Sequence, residues 1–186
     1  MEALLTSTAV VALAEIGDKT QLLAILLATR FRKPVPIILG ILVATLANHA
    51  LAALLGATVA SIFESGWFRI VVALSFLAMA AWTLIPDKID DLEDKPARFG
   101  AFITTTIAFF IVEMGDKTQI ATVALGARYQ LVGWVTLGTT LGMMLANVPA
   151  VYLGHELIRR VPLKVVRIVA ATLFAVIGLW LLGLGR

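Results

Sequence analysis

Glu15-Ile16-Gly17-Asp18-Lys19-Thr20-Gln21 returns 98 residues later as Glu113-Met114-Gly115-Asp116-Lys117-Thr118-Gln119, and both copies lie inside long apolar runs. Six of the seven positions are identical, which composition bias does not produce. The same offset pairs Thr6-Ser7-Thr8 with Thr104-Thr105-Thr106, Arg30 with Arg128, Gly40 with Gly138 and Gly56 with Gly154. With one extra residue, Leu46-Ala47-Asn48 meets Leu145-Ala146-Asn147. The chain therefore reads as two copies of one unit.

The setting of the two motifs is hydrocarbon. Of 186 residues 60% are hydrophobic and 15% charged, with mean hydropathy +0.97, far more apolar surface than one globular core buries. That composition predicts a polytopic membrane protein. The first apolar run, residues 3–28, is too long for a signal segment and carries Glu15 and Asp18 at its middle, so it reads as a retained span. The sequence pI near 9.5 arises from Lys and Arg in short loops, which points to orientation in a lipid bilayer and away from nucleic acid. Cysteine is absent, which removes disulfides and thiolate ligands. Any metal site must use oxygen, or at most His49 and His155.

A hydrocarbon layer of ~30 Å needs ~20 helical residues. Six stretches qualify, 3–28, 35–62, 67–86, 99–125, 131–153 and 163–184, separated by turn and breaker residues such as Pro34, Gly66, Pro86 and Pro162. Trp67, Trp82, Trp134 and Trp180 fall near span ends, where the headgroup layer suits an amphipathic ring. Ten of the fifteen Lys and Arg lie in the first, third and fifth loops. The positive-inside rule puts those loops in the cytoplasm and both termini outside it. The expected fold is all-α integral membrane, with six transmembrane helices as two inverted three-helix repeats. Residues 1–86 form one repeat and 99–186 the other, joined by an acidic cytoplasmic linker at 87–98. Three spans per copy is odd, so the copies have opposite topologies. This is a plan of secondary transporters, with the substrate site at mid-depth between the repeats. The linker acids read either as a cation-collecting vestibule or as an ordinary solvated loop.

Glu15, Asp18 and Lys19 share one helix face at spacings of three and four, and Glu113, Asp116 and Lys117 repeat them. At a helix centre each charge costs ~2.5–3.5 kcal/mol on insertion scales, so only a compensated or wet site can hold six. An ion pair from Glu15 to Lys19, repeated by Glu113 and Lys117, leaves both aspartates over and a net charge of −2. A divalent cation neutralises that remainder. Asp18 and Asp116 also read as N-caps of half-helices restarting after Gly17 and Gly115, with Gln21 and Gln119 reaching back. Gln21, Gln119, Asn48 and Asn147 are neutral oxygen donors that serve either as ligands or as interhelical hydrogen bonds. His49 has no counterpart, since the repeat places Val148 there. Ser7 and Thr8 continue the acidic face of the first span, as Thr105 and Thr106 do for the fourth. These hydroxyls either line a pathway or bond to a carbonyl one turn back.

No Walker A, H-E-x-x-H, G-x-S-x-G or G-x-G-x-x-G pattern is present, so no enzyme or nucleotide site is expected. Carboxylates that must deprotonate to bind metal allow exchange of a cation for protons. The paired E-x-G-D-K-T-Q motifs, in the first and fourth of six spans, resemble those of the small Gdt-type cation transporter family of Golgi, chloroplast and bacterial membranes. The resemblance covers nearly the whole chain. It implies proton-coupled transport of manganese or calcium, with bacterial members commonly exporting manganese across the inner membrane. It also implies a cation site at Glu15, Asp18, Glu113 and Asp116, with the divalent cation as substrate and no permanent cofactor. A distant similarity to lysine exporters keeps an organic cation as the second substrate class, and an intramembrane enzyme is the third reading. Assembly as a homo-oligomer is compatible with all three.

Overall fold

The computed structural model describes residues 1–62, 66–85, 99–154 and 162–183. Eight helices make up the described residues: α1 (Glu2–Glu15), α2 (Lys19–Phe31), α3 (Pro34–Ile62), α4 (Gly66–Thr83), α5 (Ala101–Glu113), α6 (Lys117–Tyr129), α7 (Val132–Leu153) and α8 (Leu163–Gly183). The linker at 87–98 and His155 lie outside the described residues.

Apolar side chains cover the outside. Leu5, Leu39, Leu51, Leu54, Leu145 and Leu179 are exposed, whereas the buried set includes Glu15, Asp18, Asn48, His49, Glu113, Asp116, Lys117 and Asn147. A soluble protein would bury the first group and expose the second. The arrangement is that of a membrane protein. By length and composition α3, α7 and α8 can each cross a bilayer.

The first and fourth apolar runs, expected to be single spans, are each broken at the motif. α1 stops at Glu15 and α2 starts at Lys19, while α5 stops at Glu113 and α6 starts at Lys117. Glycine causes the break: Gly17 has φ +80° and Gly115 φ +79°, a region where a Cβ is strained, and neither can continue a right-handed helix. Thirteen or fourteen residues give a helix of ~20 Å, short of a ~30 Å layer, so only both halves counted together are long enough. α2 and α6 also run past their apolar stretches, to Phe31 and Tyr129. There Arg32 and Gln130, again 98 apart, close the helices in the left-handed conformation with φ 53° at each.

The halves are interleaved. α1 packs on α7 and α5 on α3, so each motif helix lies along the long helix of the other half. Small residues permit close approach. A Cβ on Gly138 would stand 2.6 Å from the Leu4 carbonyl oxygen, and one on Gly40 2.9 Å from that of Phe102. α3 meets α6 still more tightly at Gly56 and Gly126, and α4 packs on α8. At one end of the molecule α1, α6 and α8 meet around a cleft of 190 Å³ lined by Glu2, Thr6, Arg128, Tyr129 and Trp180, among others. Tyr129 Oη donates to Glu2 Oε1 at 3.2 Å, and the Arg128 guanidinium lies 4.5 Å above the Trp180 ring.

Candidate metal centre

Each copy of the motif builds the same local frame. The N–H of Asp18 donates to the carbonyl of Glu15 at 3.0 Å, and that of Asp116 to Glu113 at 3.1 Å, which closes the chain around the glycine. Asp18 and Asp116 then stand at the N-caps of α2 and α6 in extended conformation, without a side-chain cap bond. Gln21 Oε1 accepts from the Gly17 N–H at 2.9 Å, and Gln119 Oε1 from Gly115 N–H at 2.6 Å. This is one half of a capping box, moved one residue outward. The carboxylates of both N-caps make longer-range contacts instead.

Those contacts cross between the copies. Lys19 Nζ lies 2.9 Å from Asp116 Oδ1 and Lys117 Nζ 3.0 Å from Asp18 Oδ1. The sequence had suggested pairing within a helix, but the break at glycine turns each lysine onto a new helix, facing the other copy. The two bridges differ in access, for the Lys19 side chain is 32% exposed and that of Lys117 6%.

The glutamates are held by hydroxyls across the break. Thr20 Oγ1 donates to Glu15 Oε2, and Thr118 Oγ1 donates to Glu113 Oε1 at 2.9 Å. His49 Nε2 stands 3.1 Å from the same Glu113 oxygen. Gln21 Nε2 donates to Ala146 O at 3.0 Å, Gln119 Nε2 donates to Asn48 Oδ1, and Asn147 Nδ2 donates to Met143 O at 3.1 Å. Thr20 and Thr118 were not singled out by sequence as site residues, although their identity in both copies was a signal, and His49 was weighed there only as a metal ligand.

Acceptor atoms remain over. Glu15 Oε1, Glu113 Oε2, Asp116 Oδ2 and Asn147 Oδ1 are buried without a hydrogen-bond donor. Leaving a buried acceptor unsatisfied costs ~1–3 kcal/mol, more for a charged one, so such a set calls for a counter-charge. Glu15, Asp18 and Asp116 each offer one oxygen, all within 4.8 Å of one another. Oxygens bound at ~2.0–2.6 Å on opposite sides of a hard divalent cation lie ~4–5 Å apart, so this group fits one.

The remaining expected residues lie further along the motif helices. Thr8 and Thr106 donate to the carbonyls one turn back, Leu4 O at 2.8 Å and Phe102 O at 2.9 Å. Ser7 and Thr105 are fully buried, without a partner for either hydroxyl, opposite Gly138 and Gly40.

An apolar exterior around broken helices and buried acids defines a membrane ion-transport protein. The profile of the family described as "Divalent cation/proton antiporter GDT1" matches residues 3–91 and 101–185. The chain belongs to this family, and is a transporter, not an enzyme. Among its relatives, a protein of Vibrio cholerae serotype O1 named "Putative manganese exporter" is 54% identical over 180 residues, 96% of this chain and 90% of that one. A GDT1-like protein of Synechocystis is 26% identical, covering 91% of this chain and 93% of the relative. GDT1-like protein 3 of Arabidopsis thaliana is 29% identical over 93% of this chain and 68% of its own. No solved structure matches the chain.

Proposed function

We propose that the protein exports Mn²⁺ across a bacterial inner membrane in exchange for protons, with Ca²⁺ as the second substrate. One observation carries this reading: the oxygens of Glu15, Asp18 and Asp116, drawn from both motif copies, lie within 4.8 Å of one another. The spacing favours a bare ion over an organic cation such as a basic amino acid. Glu113 and the amides of Gln21, Gln119, Asn48 and Asn147 complete the surroundings, while Lys19 and Lys117 tune the charge. The relative named as a manganese exporter favours Mn²⁺ among the cations that an oxygen site accepts. Proton coupling follows from competition, since carboxylates release metal when they take up protons.

The test is metal-resolved flux into proteoliposomes under an imposed pH gradient. Mn²⁺ should move with an opposing proton flux, and its apparent affinity should fall as pH is lowered, because protons then occupy the ligand oxygens. Mn²⁺ flux that moves no protons and ignores the gradient would rule out exchange.

In this reading α1–α2 and α5–α6 each form one broken span, and two inverted three-helix repeats alternate access to the shared site. Both termini are extracytoplasmic. Ser7 and Thr8 then border the outer half-pathway, and Thr105 and Thr106 the cytoplasmic one. The chain lacks cysteine, so Thr8→Cys and Thr106→Cys can be labelled cleanly with an impermeant thiol reagent. Position 8 should react from outside and position 106 from the cytoplasm. Labelling of both from one face would sink the inverted topology.

A further inference from the structure

His49 is fully buried on α3, and it breaks the symmetry of the two motif copies. In the first copy Glu15 is held by Thr20 through Oε2, and its Oε1 has no donor. In the second copy Glu113 Oε1 faces both Thr118 Oγ1 at 2.9 Å and His49 Nε2 at 3.1 Å, and only Oε2 is left over. Val148 stands where the repeat would put a second histidine, and valine has nothing to donate. Two carboxylates with one sequence context thus have different holders. Glu113 also stands outside the close group of Glu15, Asp18 and Asp116.

An ionised carboxylate oxygen can only accept, so facing one the imidazole donates from Nε2. Nδ1 is buried without a hydrogen-bond partner. The ring therefore has one polar contact, and that contact is spent on orienting a carboxylate. Groups outside a ligand set commonly fix the ligands in this way.

We propose that His49 is a positioning residue, which by donating from Nε2 to Glu113 Oε1 presents Glu113 Oε2 as the single oxygen that this carboxylate offers a cation, and so makes the two motif copies unequal. The proposal rests on Glu113 belonging to the cation site described above.

Geometry supplies the test, because a Gln amide nitrogen reaches about as far as imidazole Nε2, whereas an Asn amide nitrogen stops near Nδ1. Mn²⁺ binding by isothermal titration in detergent and Mn²⁺ flux in proteoliposomes would be measured for wild type, His49→Gln, His49→Asn and His49→Val. His49→Val and His49→Asn should weaken binding and raise the half-maximal concentration about 10–100-fold, while His49→Gln stays within about threefold of wild type. In a Glu113→Gln background, His49→Val should add less than about threefold to the loss of binding, because the carboxylate to be held is gone. Impairment of His49→Gln equal to that of His49→Val would overturn the proposal, as would wild-type behaviour of His49→Val or a fully additive double variant. Absence of wild-type Mn²⁺ flux would instead refute the proposed function. The order of the His49 variants, read on whichever divalent cation the wild type binds, would still decide this one.

Discussion

Glu15→Gln is expected to lower Mn²⁺ flux at least about 100-fold, beyond the loss usual for a group outside the ligand set. The substitution keeps the shape of the side chain and leaves Thr20 a partner, but it removes one of the charges in the close group with Asp18 and Asp116. Folding should survive, since neutralising a buried charge that has no donor on Oε1 removes a desolvation cost. Proteoliposome flux and thermal unfolding measured on the same preparations separate the two effects. Flux near wild type would remove Glu15 from the site, whereas loss of flux together with loss of the folded protein would assign it a structural role. Thr20→Val should fall between, about 10–100-fold, because it leaves the carboxylate in place but free to turn.

Gly56→Ala should destabilise the protein by about 3 kcal/mol or more, at or above the upper end of ordinary overpacking. A Cβ at position 56 would overlap the Val123 carbonyl oxygen and stand 2.8 Å from the Ala127 nitrogen, and a Cβ at Gly126 would press on the backbone of Ala53. Those neighbours are backbone atoms, so α3 and α6 must separate to make room. Gly133→Ala is the control, because nothing lies within 4 Å of a Cβ there and alanine is the better helix former. Thermal unfolding in detergent should show a lower midpoint for Gly56→Ala and an unchanged or higher one for Gly133→Ala. Equal midpoints would show that the two helices are not held in contact at these glycines.

Much of this was legible in the sequence because it is local or periodic. The apolar runs set α3, α7 and α8, and the doubled heptapeptide announced the duplication. Gly17 before an N-capping Asp18, with Gln21 three residues on, carries the signal for a helix that stops and restarts. The rest depends on contacts between residues far apart in the chain. Lys19 meets Asp116 and Lys117 meets Asp18, and no spacing rule within one helix predicts a partner 97 or 99 residues away. His49 was weighed as a ligand and discounted for want of a counterpart, yet its lack of a counterpart is what distinguishes Glu113 from Glu15. The hydroxyls divided as local geometry dictates. Thr8 and Thr106 found a carbonyl one turn back, while Ser7 and Thr105 were carried into the helix interfaces.

The cleft at Glu2, Arg128, Tyr129 and Trp180 bears on the energy of the proposed transport cycle. Offset by 98, its residues become Gly100, Arg30, Phe31 and Trp82, so the equivalent positions of the other half carry neither the carboxylate nor the phenol. Two inverted copies of identical sequence would give two states of equal free energy, one open to each side. The Tyr129–Glu2 hydrogen bond, worth ~1 kcal/mol, has no counterpart between Phe31 and Gly100, whereas a cation–π contact occurs in both halves, Arg128 on Tyr129 at 5.4 Å and Arg30 on Phe31 at 5.8 Å. Since 1.4 kcal/mol corresponds to a factor of about ten, in the proposed alternating-access cycle this bond alone would favour the state in which it forms by roughly fivefold. In the proposed inverted-repeat reading, divergence at the rim would thus supply a resting position.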